Sequence, residues 1–205
     1  MAARARFLAL FAAGACCLAA QSKNPQDLAV GKILVSPSAS PDPLFAESVI
    51  LLVRYTPSDA LGLMVNRQSK VAISEALRSV AGAAKHSEPV FVGGPVELDT
   101  VFALVRAPHG PEGSAAVAGD IHFIAVKTAL EKELRRAANA NGLRVYVGYC
   151  GWGPRQLDSE VRRGGWYIFS HSEDLSFDAN PATLWTRLVG KAEGQSARLM
   201  LRPAP

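Results

Sequence analysis

One block of this 205-residue chain concentrates residue types that could do chemistry. It runs Gly148-Tyr149-Cys150-Gly151-Trp152-Gly153-Pro154-Arg155-Gln156-Leu157-Asp158-Ser159-Glu160. Three glycines within six residues let the backbone take φ > 0 and approach other groups closely. Tyr149 and Trp152 flank a predicted turn over 151–154 and, with Pro154, offer an aromatic-glycine binding surface. Gln156 follows on the predicted helix as a polar contributor. Cys150 is a candidate nucleophile if a base stands beside it. His171 is the candidate base, because both residues follow predicted strands. The competing reading of Cys150 is a small buried hydrophobe.

Other polar positions are weighed the same way. Asp158 and Glu160 are spaced i,i+2 and do not share a helix face, so they read as members of the i,i+4 pairs Asp158–Arg162 and Gln156–Glu160 rather than as a catalytic dyad. Gly93-Gly94-Pro95 offers backbone N–H groups to an anion but lacks the Lys-Ser/Thr of a phosphate loop; a tight structural turn competes. Asn66-Arg67, at a predicted strand end, could hold a carboxylate or phosphate, or could tie a turn. His86, His109, His122 and His171 are scattered, with no metal-ligand spacing among them. The chain has neither a G-x-S-x-G elbow nor an H-E-x-x-H helix. No metal or cofactor is expected.

The elements that must position these residues follow from periodicity. Residues 32–35, 48–55, 60–65, 90–92, 100–106, 121–126, 144–149 and 166–170 read as strands, with 48–55 an apolar run and 48–65 a hairpin. Residues 36–43 and 107–120 read as loops from their prolines and glycines. Helices are predicted over 74–84, with Leu77, Val80, Ala81 and Ala84 on one face, and over 128–140, where Thr128 and Glu131 suggest a capping box and Leu130, Leu134 and Ala138 an apolar stripe. A helix from Pro154 to Arg163 and one from Pro181, capped by Asn180 and ended by Gly190, complete the set. Clustered hairpins without regular strand–helix alternation indicate an α+β class with a largely antiparallel sheet.

Four ordered motifs resemble the YqgE/AlgH family. The glycine–aromatic block is similar to its G-Y-A-G-W-G-P-G-Q-L-E-x-E signature. Ser36-Pro37 with Phe45 and Ser48-Val49 resembles its opening segment, Gly62-Leu63-Met64-Val65-Asn66-Arg67 its G-L-V-L-N-R strand end, and Phe91-Val92-Gly93-Gly94-Pro95-Val96 its F-x-G-G-P-V turn. Trp166 and Trp185 fall where the family has tryptophans, and the likeness spans 28–190. The resemblance implies a single domain with coiled, bifurcated sheets and carries no agreed catalytic residues. One branch bears the name of a transcriptional regulator of alginate synthesis. Cys150 stands where Ala is usual and Arg155 where Gly is usual.

The N-terminus reads differently. Arg4 and Arg6, an apolar stretch over 7–20 and small residues at its end form a secretory signal peptide over 1–20, atypical for the family. The stretch is too short for a transmembrane anchor. A lipid anchor at Cys16 is the alternative. A polar lead-in over 21–27 and a C-terminal tail over 191–205 flank the domain. The whole chain carries +4. Losing Arg4 and Arg6 leaves +2, and Cys150 is then the lone cysteine. So small an excess, with no basic stripe, argues against nucleic acid. The sequence therefore indicates an exported, non-catalytic module for an unknown small ligand or protein. The alternatives are a Cys150 enzyme and a cytosolic regulator.

Overall fold

The computed structural model describes residues 21–40, 42–136, 142–171 and 175–200. The signal-peptide reading of 1–20, the Cys16 anchor, Ala138 and residues 201–205 lie outside them.

The strands are β1 (Gln21–Ser22), β2 (Ile33–Val35), β3 (Val49–Tyr55), β4 (Ala60–Met64), β5 (Gln68–Ala72), β6 (Pro89–Val92), β7 (Val96–Arg106), β8 (Ser114–Ala118), β9 (Ile121–Ile124), β10 (Leu143–Trp152) and β11 (Tyr167–Phe169). The helices are α1 (Ile73–Ala76), α2 (Lys127–Arg136), α3 (Gln156–Arg162) and α4 (Pro181–Met200). The strands join in the order β1-β11-β2-β3-β4-β10-β7-β9-β8, with β6 between β5 and β10. The class is α+β, with a mostly antiparallel sheet in one domain.

The sheet forks on β10. One edge of β10 pairs with β7 from Leu143 to Tyr149. Its other edge first takes β6 in parallel at Tyr146 and Val147, then β4 antiparallel from Cys150 to Trp152. The change of partner falls at Gly148, where φ is +69° and the β7 register shifts. Such a bulge bends the strand and sharpens its twist.

Helices cover both faces, so the central strands are buried on both sides. On β3, Val49, Leu51 and Val53 join the core that includes Leu184 and Leu188 of α4, while Ile50 and Leu52 join the core that includes Leu157 and Val161 of α3. This is why 48–55 reads as a continuous apolar run rather than an alternation. A third core holds Leu130 and Leu134 of α2 with Ile73 and Val145.

Several boundaries differ from expectation. The helix predicted over 74–84 is a short α1, a turn and a single 3-10 turn at Ala83–Lys85, broken where Gly82 takes φ +92°. Ala83 is buried there, whereas Ala81 and Ala84 are exposed. α2 begins before Thr128: the Leu130 N–H donates to the Val126 carbonyl, so Thr128 lies inside the first turn and not at the cap. Part of the predicted 107–120 loop is β8, and β5 and β1 are strands too short or polar for periodicity to reveal. α4 does not stop at Gly190. It runs to Met200, and Ala192 is fully buried in the core.

Candidate functional site

Glu160 organises the block singled out by its composition. Its Oε2 accepts the indole N–H of Trp152 at 2.9 Å and that of Trp166 at 2.8 Å. Its Oε1 accepts from Gln156 Nε2 at 3.0 Å. Gln156 Oε1 in turn accepts the Gly153 N–H at 3.1 Å, closing the turn between β10 and α3. The i,i+4 pair predicted for Gln156 and Glu160 is present, but Glu160 is no ordinary surface carboxylate. It joins the strand before α3 to the strand after it. Asp158 faces elsewhere and accepts the Tyr55 hydroxyl at 3.1 Å. α3 ends in a Schellman pattern: Gly165 N–H donates to Glu160 O, Gly164 N–H donates to Val161 O, and Gly164 has φ +78°. That stop delivers Trp166 to the carboxylate.

Asn66 and Arg67 tie a loop. Asn66 Oδ1 accepts the Val49 N–H and its Nδ2 donates to Glu47 O, both at 2.9 Å. Arg67 Nη2 donates to the carbonyls of Leu44 and Ala46 at 2.9 Å and to Ser48 Oγ at 3.1 Å. Of the two roles weighed for the pair, the turn tie is the one these bonds perform. The loop so held carries Phe45, which stacks on Trp152 (centroids 6.3 Å apart) and meets Trp166 edge-on at 5.7 Å.

A third segment faces this aromatic group. α4 fixes it from behind: Trp185 Nε1 donates to Ser36 O at 2.9 Å, and the Ser38 N–H and hydroxyl donate to the Glu193 carboxylate at 3.0 and 2.9 Å. Glu193 lies on the part of α4 beyond Gly190. Between these walls is an open cleft of about 490 Å³, lined by Pro37, Ser40, Phe45, Arg163 and Trp166 among others. Among the described residues its charged lining groups are Asp42, Glu160 and Arg163, with no histidine or cysteine.

The other expected site residues do not converge there. Gly93 and Gly94 meet β10 edge-on. The Gly93 N–H donates to Val147 O, and its carbonyl accepts from the Met64 N–H, both at 2.8 Å. A β-carbon at Gly93 would lie 2.3 Å from Gly148 O, and one at Gly94 would lie 2.1 Å from Tyr149 C. The glycines are needed because three strands meet at the fork, and the Gly93 N–H named for an anion is already engaged. Tyr149 and Trp152 do not form one surface. β10 continues through the predicted turn to Trp152, so residues three apart point to opposite faces. Tyr149 packs edge-on against Phe102 in the α4 core, and burial together with nearby Glu97 pushes its pKa up. Trp152 is buried in the α3 core.

Cys150 is also inside the α3 core, fully buried, with its thiol donating to Gly93 O at 3.4 Å. Burial pushes its pKa up, and Arg67 opposes this only in part. His171 follows β11, which is four strand steps from β10, roughly 19 Å at the usual strand spacing. Its Nε2 pairs with Ser176 Oγ at 3.0 Å. The strands before these two residues are not neighbours, so the nucleophile–base pair is not assembled. Among the described residues, no group of three or more His, Cys, Asp or Glu could hold a metal ion.

The profile of the AlgH-like family, DUF179, matches residues 33–197. The chain belongs to this family. A UPF0301 protein of Streptomyces coelicolor is 32% identical over 176 residues, covering 84% of this chain and 91% of the relative. One from Paracoccus denitrificans is 35% identical over 180 residues, covering 84% and 93%. Solved structures are similar as well. The crystal structure of DIP2367 from Corynebacterium diphtheriae matches with TM-score 0.67 at 19% identity, covering 87% of this chain and 90% of that one. The solution structure of AlgH from Pseudomonas aeruginosa matches with TM-score 0.65 at 21% identity, covering 85% and 94%. At those identities the likeness establishes the shared fold.

Within the AlgH-like chain, the motifs that carried the resemblance are mostly structural devices. They close the fork, anchor Phe45 and hold two tryptophans. Phe45 and Glu160 are the cleft residues that spacing rules undervalued. The Glu160 signal was there in retrospect: a helix carboxylate flanked within eight residues by Trp152 and Trp166.

Proposed function

We propose that this AlgH-like protein is an exported, non-catalytic binding module and that its ligand seats in the cleft between Phe45, Trp166 and the wall formed by Pro37, Ser40 and Asp42. One observation carries the reading: two walls distant in sequence border the same cleft and each is tied by dedicated polar anchors, Arg67 and Glu193 holding the stretch that carries Ser38 and Phe45, and Glu160 holding Trp166. Preorganised walls of this kind lower the ordering cost of binding. The volume lies within the range of small-molecule sites. The aromatic and proline walls suit an apolar body, and Asp42 and Arg163 at the rim suit a polar group on it.

The cysteine-enzyme alternative loses its support with Cys150 buried and His171 remote. Among the described residues no helix is long and apolar enough to cross a membrane. Export rests on the sequence of 1–20, and intact-mass measurement of protein from the native cell tests it; a chain still carrying Met1 to Ala20 overturns it. The cleft is tested by fragment screening with protein-observed NMR. Shifts should cluster on the Trp166 indole and the Gly164 and Gly165 amides and vanish in Ser40→Trp, which plugs the opening. Fragments that bind without moving those signals would sink the proposal.

A further inference from the structure

The Phe45–Trp166 cleft carries charge of both signs, on separate walls. Glu160 is a lining carboxylate, but three donors already occupy it: Oε2 takes both indoles and Oε1 takes Gln156. Two lining charges remain. Asp42 belongs to the wall that carries Pro37 and Ser40, and Arg163 to the wall that runs from the end of α3 to Trp166. Among the described residues neither forms an ion pair, with the other or with a third group.

Each is steadied instead by a bond to a neutral group. Asp42 Oδ1 accepts the Leu44 N–H at 2.9 Å, which leaves Oδ2 open. Arg163 Nη1 donates to Ser159 Oγ at 2.6 Å, which leaves most of the guanidinium N–H groups open. A ligand with one charge answers one of these groups and sets its apolar body against the other. A ligand bearing both signs answers both. Charge complementarity of this kind sets specificity more than raw affinity. Between the charges the cleft is apolar: Phe45 is held against Trp166, and Gly164 and Gly165 bring no bulk.

Building on the reading of the cleft as the ligand site, on which this inference rests, we propose that the cleft recognises a zwitterion with an apolar body, an aromatic amino acid or a short peptide bearing one, whose ammonium meets Asp42 and whose carboxylate meets Arg163. The guanidinium fork matches a carboxylate geometrically. An ammonium brings donors to the open Asp42 oxygen. The aromatic side chain packs along Phe45, where an offset or edge-on ring contact is favourable. In a free amino acid the two charges flank one carbon, and in a dipeptide a peptide unit separates them, so the preferred length reports the spacing of the two walls.

The probes are phenylalanine and glycylphenylalanine, titrated into the full chain by calorimetry beside their N-acetyl forms, which lack the ammonium, and their amides, which lack the carboxylate. At least one zwitterion should bind saturably, with each of its blocked forms at least tenfold weaker. The tighter of the two identifies the source of the zwitterion. Asp42→Asn keeps an acceptor for Leu44 and should abolish the advantage over the N-acetyl form alone. Arg163→Gln should abolish the advantage over the amide alone. Both side chains are exposed, so both variants should fold. Ser40→Trp should abolish binding. A zwitterion bound no more tightly than its blocked forms, or an advantage unchanged in Asp42→Asn or Arg163→Gln, overturns the proposal. If neither zwitterion binds while neutral fragments still shift the Gly164 and Gly165 amides, the zwitterion falls and the cleft stands. If nothing binds there, both fall.

Discussion

Gly94 crosses the backbone of Tyr149 with no room for a side chain between them. A β-carbon at Gly94 would stand 2.1 Å from Tyr149 C and 2.2 Å from its oxygen. These neighbours are main-chain atoms of the central strand, so no rotamer change relieves the clash. Gly94→Ala should therefore destabilise by about 3 kcal/mol or more, the range of changes that break a special backbone contact. Gly190→Ala is the matched control: nothing lies within 4 Å, and the residue is inside α4. There, alanine should stabilise by about 0.5–1 kcal/mol through helix propensity. Urea unfolding of the two variants should move in opposite directions; similar midpoints would refute the assignment of the fork.

Glu160→Gln removes a charged acceptor shared by two indoles. A glutamine oxygen in the Oε2 position can still accept both indoles but without the charge, and its amide nitrogen would then present donors where Gln156 already donates. Trp152 and Trp166 are 4% and 3% exposed, so water cannot readily make up for the weakened charge-assisted bonds. The expected cost is about 1–3 kcal/mol. Tryptophan emission should shift in the native state of the variant as the pair loosens. Emission and stability identical to the parent protein would remove Glu160 from its organising role.

What could be read beforehand follows a physical division. The β3–β4 hairpin was readable because an apolar run buried on two faces is a local signal. The glycine requirement at Gly93 and Gly94 was visible as a motif but not as a cause, because the strand that forbids a side chain is more than fifty residues away. Local spacing understates Glu160 because i,i+4 arithmetic sees only its own helix, whereas one indole comes from β10 before it and the other from the residue leading into β11. The Gly190 stop failed for a related reason: burial of Ala192 and the Glu193–Ser38 bonds outweigh the local cost of a helical glycine. Phe45 gave no signal beyond its place in a family motif, since Asn66 and Arg67 reach it only across the fold.

Arg155 occupies the left-handed region, with φ +56° and ψ 7°, at the position preceding α3. The signature that this block resembles has glycine at this position, and the conformation supplies a reason for it. A left-handed residue with a β-carbon is strained by roughly 1–2 kcal/mol. Glycine relieves that strain but adds flexibility to the unfolded chain, so the two effects partly cancel. Arg155→Gly should raise stability by about 0.5–1 kcal/mol, measured as a higher urea midpoint with an unchanged slope. A loss of stability would mean that the guanidinium contributes more than the strain costs.

Alkaline pH should destabilise the protein through Cys150 and Tyr146. Burial raises both folded-state pKa values above their ordinary 9.0 and 10.0. Below pH 9 both groups are protonated in the folded and unfolded chains, and their contribution is fully present. Above pH 9 the unfolded chain loses the thiol proton while the folded chain keeps it, so the unfolded state gains. Stability then falls by about 1.4 kcal/mol per pH unit for the thiol, and the slope doubles once the unfolded tyrosine ionises above pH 10. Cys150→Ala should delay the onset of the fall by about one pH unit, because only the tyrosine contribution remains. The same burial makes the native thiol inert: a small electrophile at pH 8 should label Cys150 only as fast as the chain unfolds. Rapid labelling under native conditions, or an alkaline limb indifferent to Cys150→Ala, would contradict a thiol sealed beneath Gly93.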